Sequence, residues 1–164
     1  VAERTFRADF PEAVFRRADI AGVDASDFDG LVEASAFHPV LFNACAPCQP
    51  FSRQRNGVAP PDDGRRGLLD HLSRFVRRFQ PEAILVENEP GLRDGLLGSE
   101  IFGGLIKTLN GLGYSARHKI VRSQDYGVPQ RMTLLMLPAS VFGPVAFPAR
   151  THGNGSRNTE YADD

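Results

Sequence analysis

Residues 67–90 read GLLDHLSRFVRRFQPEAILVENEP, and two different hydrophobic patterns meet inside them. Leu68, Leu69, Leu72, Phe75, Val76 and Phe79 fall at helical spacing with Arg and Asp between them, which predicts an amphipathic helix closed before Pro81. AILVENE (83–89) follows as a short apolar run turned by Pro90-Gly91, which predicts a buried strand. A helix feeding a strand this closely sets the grammar for the chain around it.

Upstream, HPVLFNACA (38–46) is a second apolar run, bounded by Pro39 and Pro47 and predicted to be another buried strand. Downstream, Ile101, Phe102, Leu105, Ile106, Leu109 and Leu112 predict a second helix ended by Gly111 and Gly113. SARHKIVRS (115–123) and TLLMLPA (133–139) predict two more strands with the DYGVPQR loop between them. Strand, helix, strand, helix, strand implies an α/β layered sheet with crossover connections. In such sheets reactive groups gather beyond the carboxyl ends of the strands, here near Cys48 and Glu87. QRNGVAPPDDGRRG (54–67) is a loop long enough to be functional. The opening VAERTFRADFPEAVF lacks a capping signal and reads as the middle of an element, while RTHGNGSRNTEYADD at the end reads as a linker.

With 164 residues, 41% of them hydrophobic, the chain is one domain's worth and can bury a core. No apolar run is long enough to span a membrane, and the opening residues lack the series of a signal peptide. Two cysteines are too few for a disulfide scaffold, which points to a reducing cytoplasm. A net charge of −1 exerts no global pull on nucleic acid, but the basic residues are seventeen Arg to two Lys. Arg forks onto phosphates and base edges as Lys does not.

The two cysteines sit in ACAPCQPFS (44–52), and three readings compete there. A structural zinc site lacks a second ligand pair at matching spacing. A thioredoxin-like redox pair would expose the first thiol at a helix start, whereas Cys45 ends an apolar strand and Pro50 is poor for continuing a helix. The third reading makes Cys48 a lone nucleophile stiffened by Pro47 and Pro50, with Cys45 a small packing residue and Arg53, Arg55, Arg65 and Arg66 as cationic neighbours.

Pro47-Cys48-Gln49-Pro50-Phe51-Ser52, then Glu87-Asn88, then Asp125-Tyr126-Gly127-Val128-Pro129-Gln130-Arg131 resembles the cytosine carbon-5 DNA methyltransferases in order and interval, from about Phe10 to about His152. The resemblance implies a Rossmann-like S-adenosylmethionine-dependent methyltransferase fold, with residues 1–150 part of a catalytic domain and 151–164 a linker toward a target-recognition region. It implies Cys48 as nucleophile, Glu87 as the acid at the ring and Asn88 as its positioning neighbour. For the cofactor, S-adenosylmethionine, it implies Asp19, Ile20, Pro47 and Leu68. For double-stranded DNA carrying a flipped cytosine, it implies Gln49, Ser52, Arg53, Arg55, Arg65 and Arg131, with 52–66 as the family's catalytic loop.

The chain also departs from the family pattern. The glycine-rich cofactor motif and the target-recognition region have no counterpart in these residues, so a second polypeptide or a further segment is the expected source of both. Glu89 stands where the family usually has Val, and Met132 and Leu134 stand where two arginines are expected. A lost cationic hydrogen bond in a buried pocket is worth roughly 1.5–3 kcal/mol, or one to two orders of magnitude in rate. A noncatalytic relative that binds nucleic acid or a partner is therefore one alternative reading; an RNA-directed enzyme of the same chemistry is another, because the thiol and acid motifs do not identify the nucleic acid.

Overall fold

The computed structural model describes residues 2–33, 37–47 and 67–152. Along the chain lie α1 (Ala2–Asp9), short 3-10 turns at Ile20–Gly22 and Ala25–Phe28, α2 (Asp29–Glu33) and β1 (Leu41–Cys45). Then come α3 (Leu68–Phe79), β2 (Ala83–Asn88), α4 (Gly91–Asp94), α5 (Leu96–Gly111), β3 (Ser115–Ala116) and β4 (Lys119–Arg122). A 3-10 turn at Ser123–Tyr126 leads to β5 (Thr133–Ser140).

The strands form one sheet in the order β1-β2-β5-β3, with β4 also paired to β5. β1 and β2 are parallel and joined through α3, whereas β5 runs antiparallel to β2, β3 and β4. The amino-terminal end of β5 therefore meets the carboxyl ends of β1 and β2. This brings Ala46-Pro47 at the end of β1, the Glu87-Asn88 pair and the loop before β5 to one edge of the sheet.

Strand pairing divides the side chains between two faces. Ile84 and Val86 of β2 and Leu135, Leu137 and Ala139 of β5 are buried against Leu69, Leu72 and Val76 of α3 and Phe102, Leu105 and Leu109 of α5. On the other face Cys45, Glu87, Met136 and Lys119 stand in one row across four strands. α3 stops at Gln80, which takes a left-handed conformation (φ 44°) and donates its N–H to Val76. The buried Tyr114 hydroxyl donates to the Pro81 carbonyl at 2.6 Å, tying the end of α5 to the start of β2. At the start of β1, the Val40 N–H donates to the Glu82 carboxylate at 2.7 Å, which holds that carboxyl below its usual range.

Four sequence expectations change. The strand expected to be buried over 38–46 is shorter and alternates between half-buried and exposed, with Leu41 60% exposed, because β1 is an edge strand among the described residues. Cys45, expected to be a packing residue, is exposed. The strand expected over 115–123 divides into β3 and β4. Arg117 donates to the Pro138 carbonyl at 3.0 Å, but proline has no N–H to return, so the ladder breaks there.

The second helix begins at Leu96, earlier than its apolar spacing indicated, and α4 precedes it where only a turn was expected. Gly98 makes this possible, since a Cβ there would lie 2.3 Å from the Leu92 carbonyl oxygen. Of the loop expected over 54–67, residues 54–66 lie outside the described residues, as does the tail beyond residue 152.

Candidate active site

The carboxyl edge of the sheet holds Glu87 and Asn88 at the end of β2. Glu87 is half-buried, stands beside Cys45 in the parallel pairing, and faces away from the helical core. Partial burial raises the Cys45 thiol above its ordinary range, and the charge and hydrogen bonding of Glu87 push it further in the same direction. A thiol so placed stays protonated at neutral pH, which argues against Cys45 as a nucleophile despite its exposure.

Asn88 points the other way, into the core, and is 2% exposed. Its Nδ2 donates to the Ala46 carbonyl at 3.0 Å, and its Oδ1 accepts the Glu89 N–H at 2.9 Å. The amide thus ties the end of β2 to the residue preceding Pro47, and it fixes the distance between the strand bearing Glu87 and the turn that leads to Cys48. Asn88→Ala leaves a carbonyl and an N–H without their partner, at about 1–3 kcal/mol. We expect a lowered urea midpoint with an unchanged slope, checked by chemical denaturation. An unchanged midpoint would remove Asn88 from this role.

Glu89 is half-buried one residue further on. Arg131 is exposed on the 127–132 loop, Met132 is 42% exposed, and Leu134 is half-buried in β5 opposite Val121 of β4. Arg131 therefore shares the sheet edge with Glu87 without contacting it among the described interactions. Cys48, Gln49, Ser52, Arg53, Arg55 and Arg65 lie outside the described residues.

Beside the edge strand, between β1, α3 and the amino-terminal segment, opens a cleft of about 1090 Å³. Three of the four residues expected to meet the cofactor, Ile20, Pro47 and Leu68, line it, with the rings of Phe28 and Phe75. Two arginines of α3 hold this wall in place. Arg74 donates to the carbonyls of Ile20 and Val23 at 2.9 and 2.8 Å, and Arg78 forms an ion pair with Asp29. Asp19, the fourth, is not among the lining residues; it lies between two of them, Ala18 and Ile20, and caps the first 3-10 turn, with Oδ1 accepting the Ala21 N–H at 3.0 Å. Its other oxygen accepts nothing among the described residues. Apolar and aromatic walls fit a flat ring, and the cleft is large enough for a nucleoside-sized ligand. Sequence reading missed Arg74 and the Asn88–Ala46 bond. The first was hidden among many arginines, and the second depends on a contact between residues 42 positions apart.

The C-5 cytosine-specific DNA methylase family model matches residues 2–133. The chain is 34% identical over 142 residues to the type II methylase M.HgiDII of Herpetosiphon aurantiacus, covering 84% of the chain and 38% of that protein. It is 33% identical over 130 residues to the type II methyltransferase M.NgoBI of Neisseria gonorrhoeae, covering 79% of the chain and 37% of that protein. Among solved structures, it resembles a DNA modification methyltransferase encoded within an Escherichia coli prophage, with a TM-score of 0.67 and 26% identity over 84% of the chain and 36% of that structure. A methyltransferase of Entamoeba histolytica shares the fold at a TM-score of 0.70 and 18% identity, over 94% of the chain and 46% of that structure. The chain spans less than half the length of each of these relatives. With a family model matched over residues 2–133, most of its length, the chain belongs to the C-5 cytosine-specific DNA methylase family.

Proposed function

We propose that this chain carries the central catalytic motifs of an enzyme that methylates carbon 5 of cytosine in double-stranded DNA, using S-adenosylmethionine. The observation that carries the reading is the convergence of the Pro47-side turn, Glu87-Asn88 and the Arg131 loop at one sheet edge, beside a cleft lined by Ile20, Pro47 and Leu68.

Carbon 5 of cytosine is a poor nucleophile. Addition of the Cys48 thiolate to ring carbon 6 moves an electron pair toward carbon 5, and Glu87 offsets the developing charge by donating a proton at ring nitrogen 3. When bound, S-adenosylmethionine would supply an electrophilic methyl group for carbon 5, the sulfur keeping the bonding pair and leaving as the neutral thioether S-adenosylhomocysteine. Loss of the carbon 5 proton to solvent then expels the Cys48 thiolate, and return of the nitrogen 3 proton to Glu87 restores the ring. Asn88 holds the two strand ends in register, and its hydrogen bonds to Ala46 and Glu89 support that role. The base must leave the helical stack for this chemistry, and Gln49, Ser52, Arg53, Arg55, Arg65 and Arg131 are assigned to hold the DNA around it. The missing glycine-rich motif and target recognition are assigned to a second polypeptide or a further segment, since relatives of this family are more than twice as long.

Labelled S-adenosylmethionine with either duplex DNA or a cytosine-rich RNA tests the reading in the protein at its native length. The expected product is 5-methylcytosine in DNA. Label in RNA alone, or in neither, would overturn the assignment. The 164-residue chain by itself is expected to transfer no methyl group.

A further inference from the structure

Asp125, Tyr126 and Gly127 sit just before the loop that carries Gln130 and Arg131, and the chemistry above gives them no task. All three grip the same stretch of chain, residues 148–152. The Asp125 carboxylate, buried at 7% side-chain exposure, faces Arg150 with Nε 3.3 Å from Oδ2. Its main-chain carbonyl accepts the N–H groups of Thr151 and His152, both at 3.0 Å. The Tyr126 hydroxyl reaches the Pro148 carbonyl at 3.5 Å. Gly127 has φ +82° and lies so close to the His152 ring that a Cβ would come within 2.9 Å of Cε1.

The loop above this contact has little else to hold it. Residues 127–132 are all exposed, and within the loop the main-chain bonds are short-range, Gln130 N to Val128 O and Met132 N to Gln130 O. Its ends close on Ser123, which donates to the Met132 carbonyl at 3.0 Å and accepts the Val128 N–H at 3.2 Å. Ser123 and Asp125 belong to one 3-10 turn. Whatever fixes that turn fixes the loop.

We propose that Arg150 is a positioning residue for the Gln130-Arg131 loop, acting through Asp125 to lock residues 148–152 beneath it. The proposal rests on the reading of Arg131 as a nucleic-acid contact. Removing Arg150 leaves a buried carboxylate without its counter-charge, a larger disturbance than neutralising Asp125 itself. R150M should therefore act more strongly than D125N, and R150K should recover most of the loss. A residue that merely fills space would show neither order.

Amide hydrogen exchange and fluorescence anisotropy with a labelled cytosine-containing duplex, both on the protein at its native length, separate the outcomes. In R150M we expect exchange over 123–132 and at Thr151 and His152 to quicken by about tenfold or more, with β2 and α5 unchanged. Duplex affinity should fall about as far as in R131A. Should R150M lose protection throughout, D125N carries the same test with the same local pattern. Unchanged exchange over 123–132 overturns the proposal. So does quickened exchange with affinity retained while R131A loses affinity. Affinity retained in R131A as well sinks the nucleic-acid reading of the loop, and with it the positioning role, as a separate and recognisable failure.

Discussion

Cys48→Ser is expected to reduce methyl transfer by about 10⁴-fold or more, because a hydroxyl at ordinary pKa does not add to the cytosine ring and no other group takes its place. Cys45→Ala is the matched control. Its thiol is held in the protonated form by partial burial and by Glu87, so its loss should leave the rate within a few-fold. Single-turnover rates with saturating duplex isolate the chemical step. A Cys48→Ser enzyme with near-normal turnover would remove the covalent mechanism, and a Cys45→Ala enzyme as impaired as Cys48→Ser would exchange the roles of the two thiols.

Glu87→Gln should lower kcat by about 10²–10⁴-fold while changing DNA affinity little, since the amide keeps the shape but cannot donate the proton that offsets charge on the ring. The pairing of Glu87 with Met136 on one side and Cys45 on the other fixes the carboxylate on the open face of the sheet, away from the helical core. The substitution should therefore cost little stability. A loss confined to KM, with kcat preserved, would turn Glu87 from an acid into a binding contact.

Much of this was legible in the sequence because hydrophobic spacing and motif order are local properties. The α3 positions Leu69, Leu72 and Val76 all reach the core as their spacing indicated, and AILVENE supplies β2 almost to the residue. What the sequence hid depends on partners far along the chain. β1 has the composition of a central strand yet lies at an edge among the described residues, and its apolar residues alone could not reveal that. Pro138 breaks the β3–β4 strand only because Arg117 faces it. α4 folds against α5 because Gly98 admits the Leu92 carbonyl, a close approach that apolar periodicity does not register.

The site shows the same division. Ile20, Pro47 and Leu68, chosen by resemblance from three separate stretches, line one cleft. The wall at Ile20 and Val23, however, is held by Arg74, which sequence reading left among the arginines between the apolar positions of an amphipathic helix. The DYGVPQR motif was legible as a loop with Arg131 at its end. Its first three residues made sense only once residues 148–152 were seen lying against them.

Covalent trapping tests the central claim most directly. A duplex carrying 5-fluorocytosine at the target base, incubated with S-adenosylmethionine and the protein at its native length, blocks the final proton loss and leaves the thiol attached to carbon 6. Denaturation, proteolysis and mass spectrometry then locate the modified residue. The account predicts one adduct, on Cys48, absent in Cys48→Ser and retained in Cys45→Ala. An adduct on Cys45, or none at all, would contradict it.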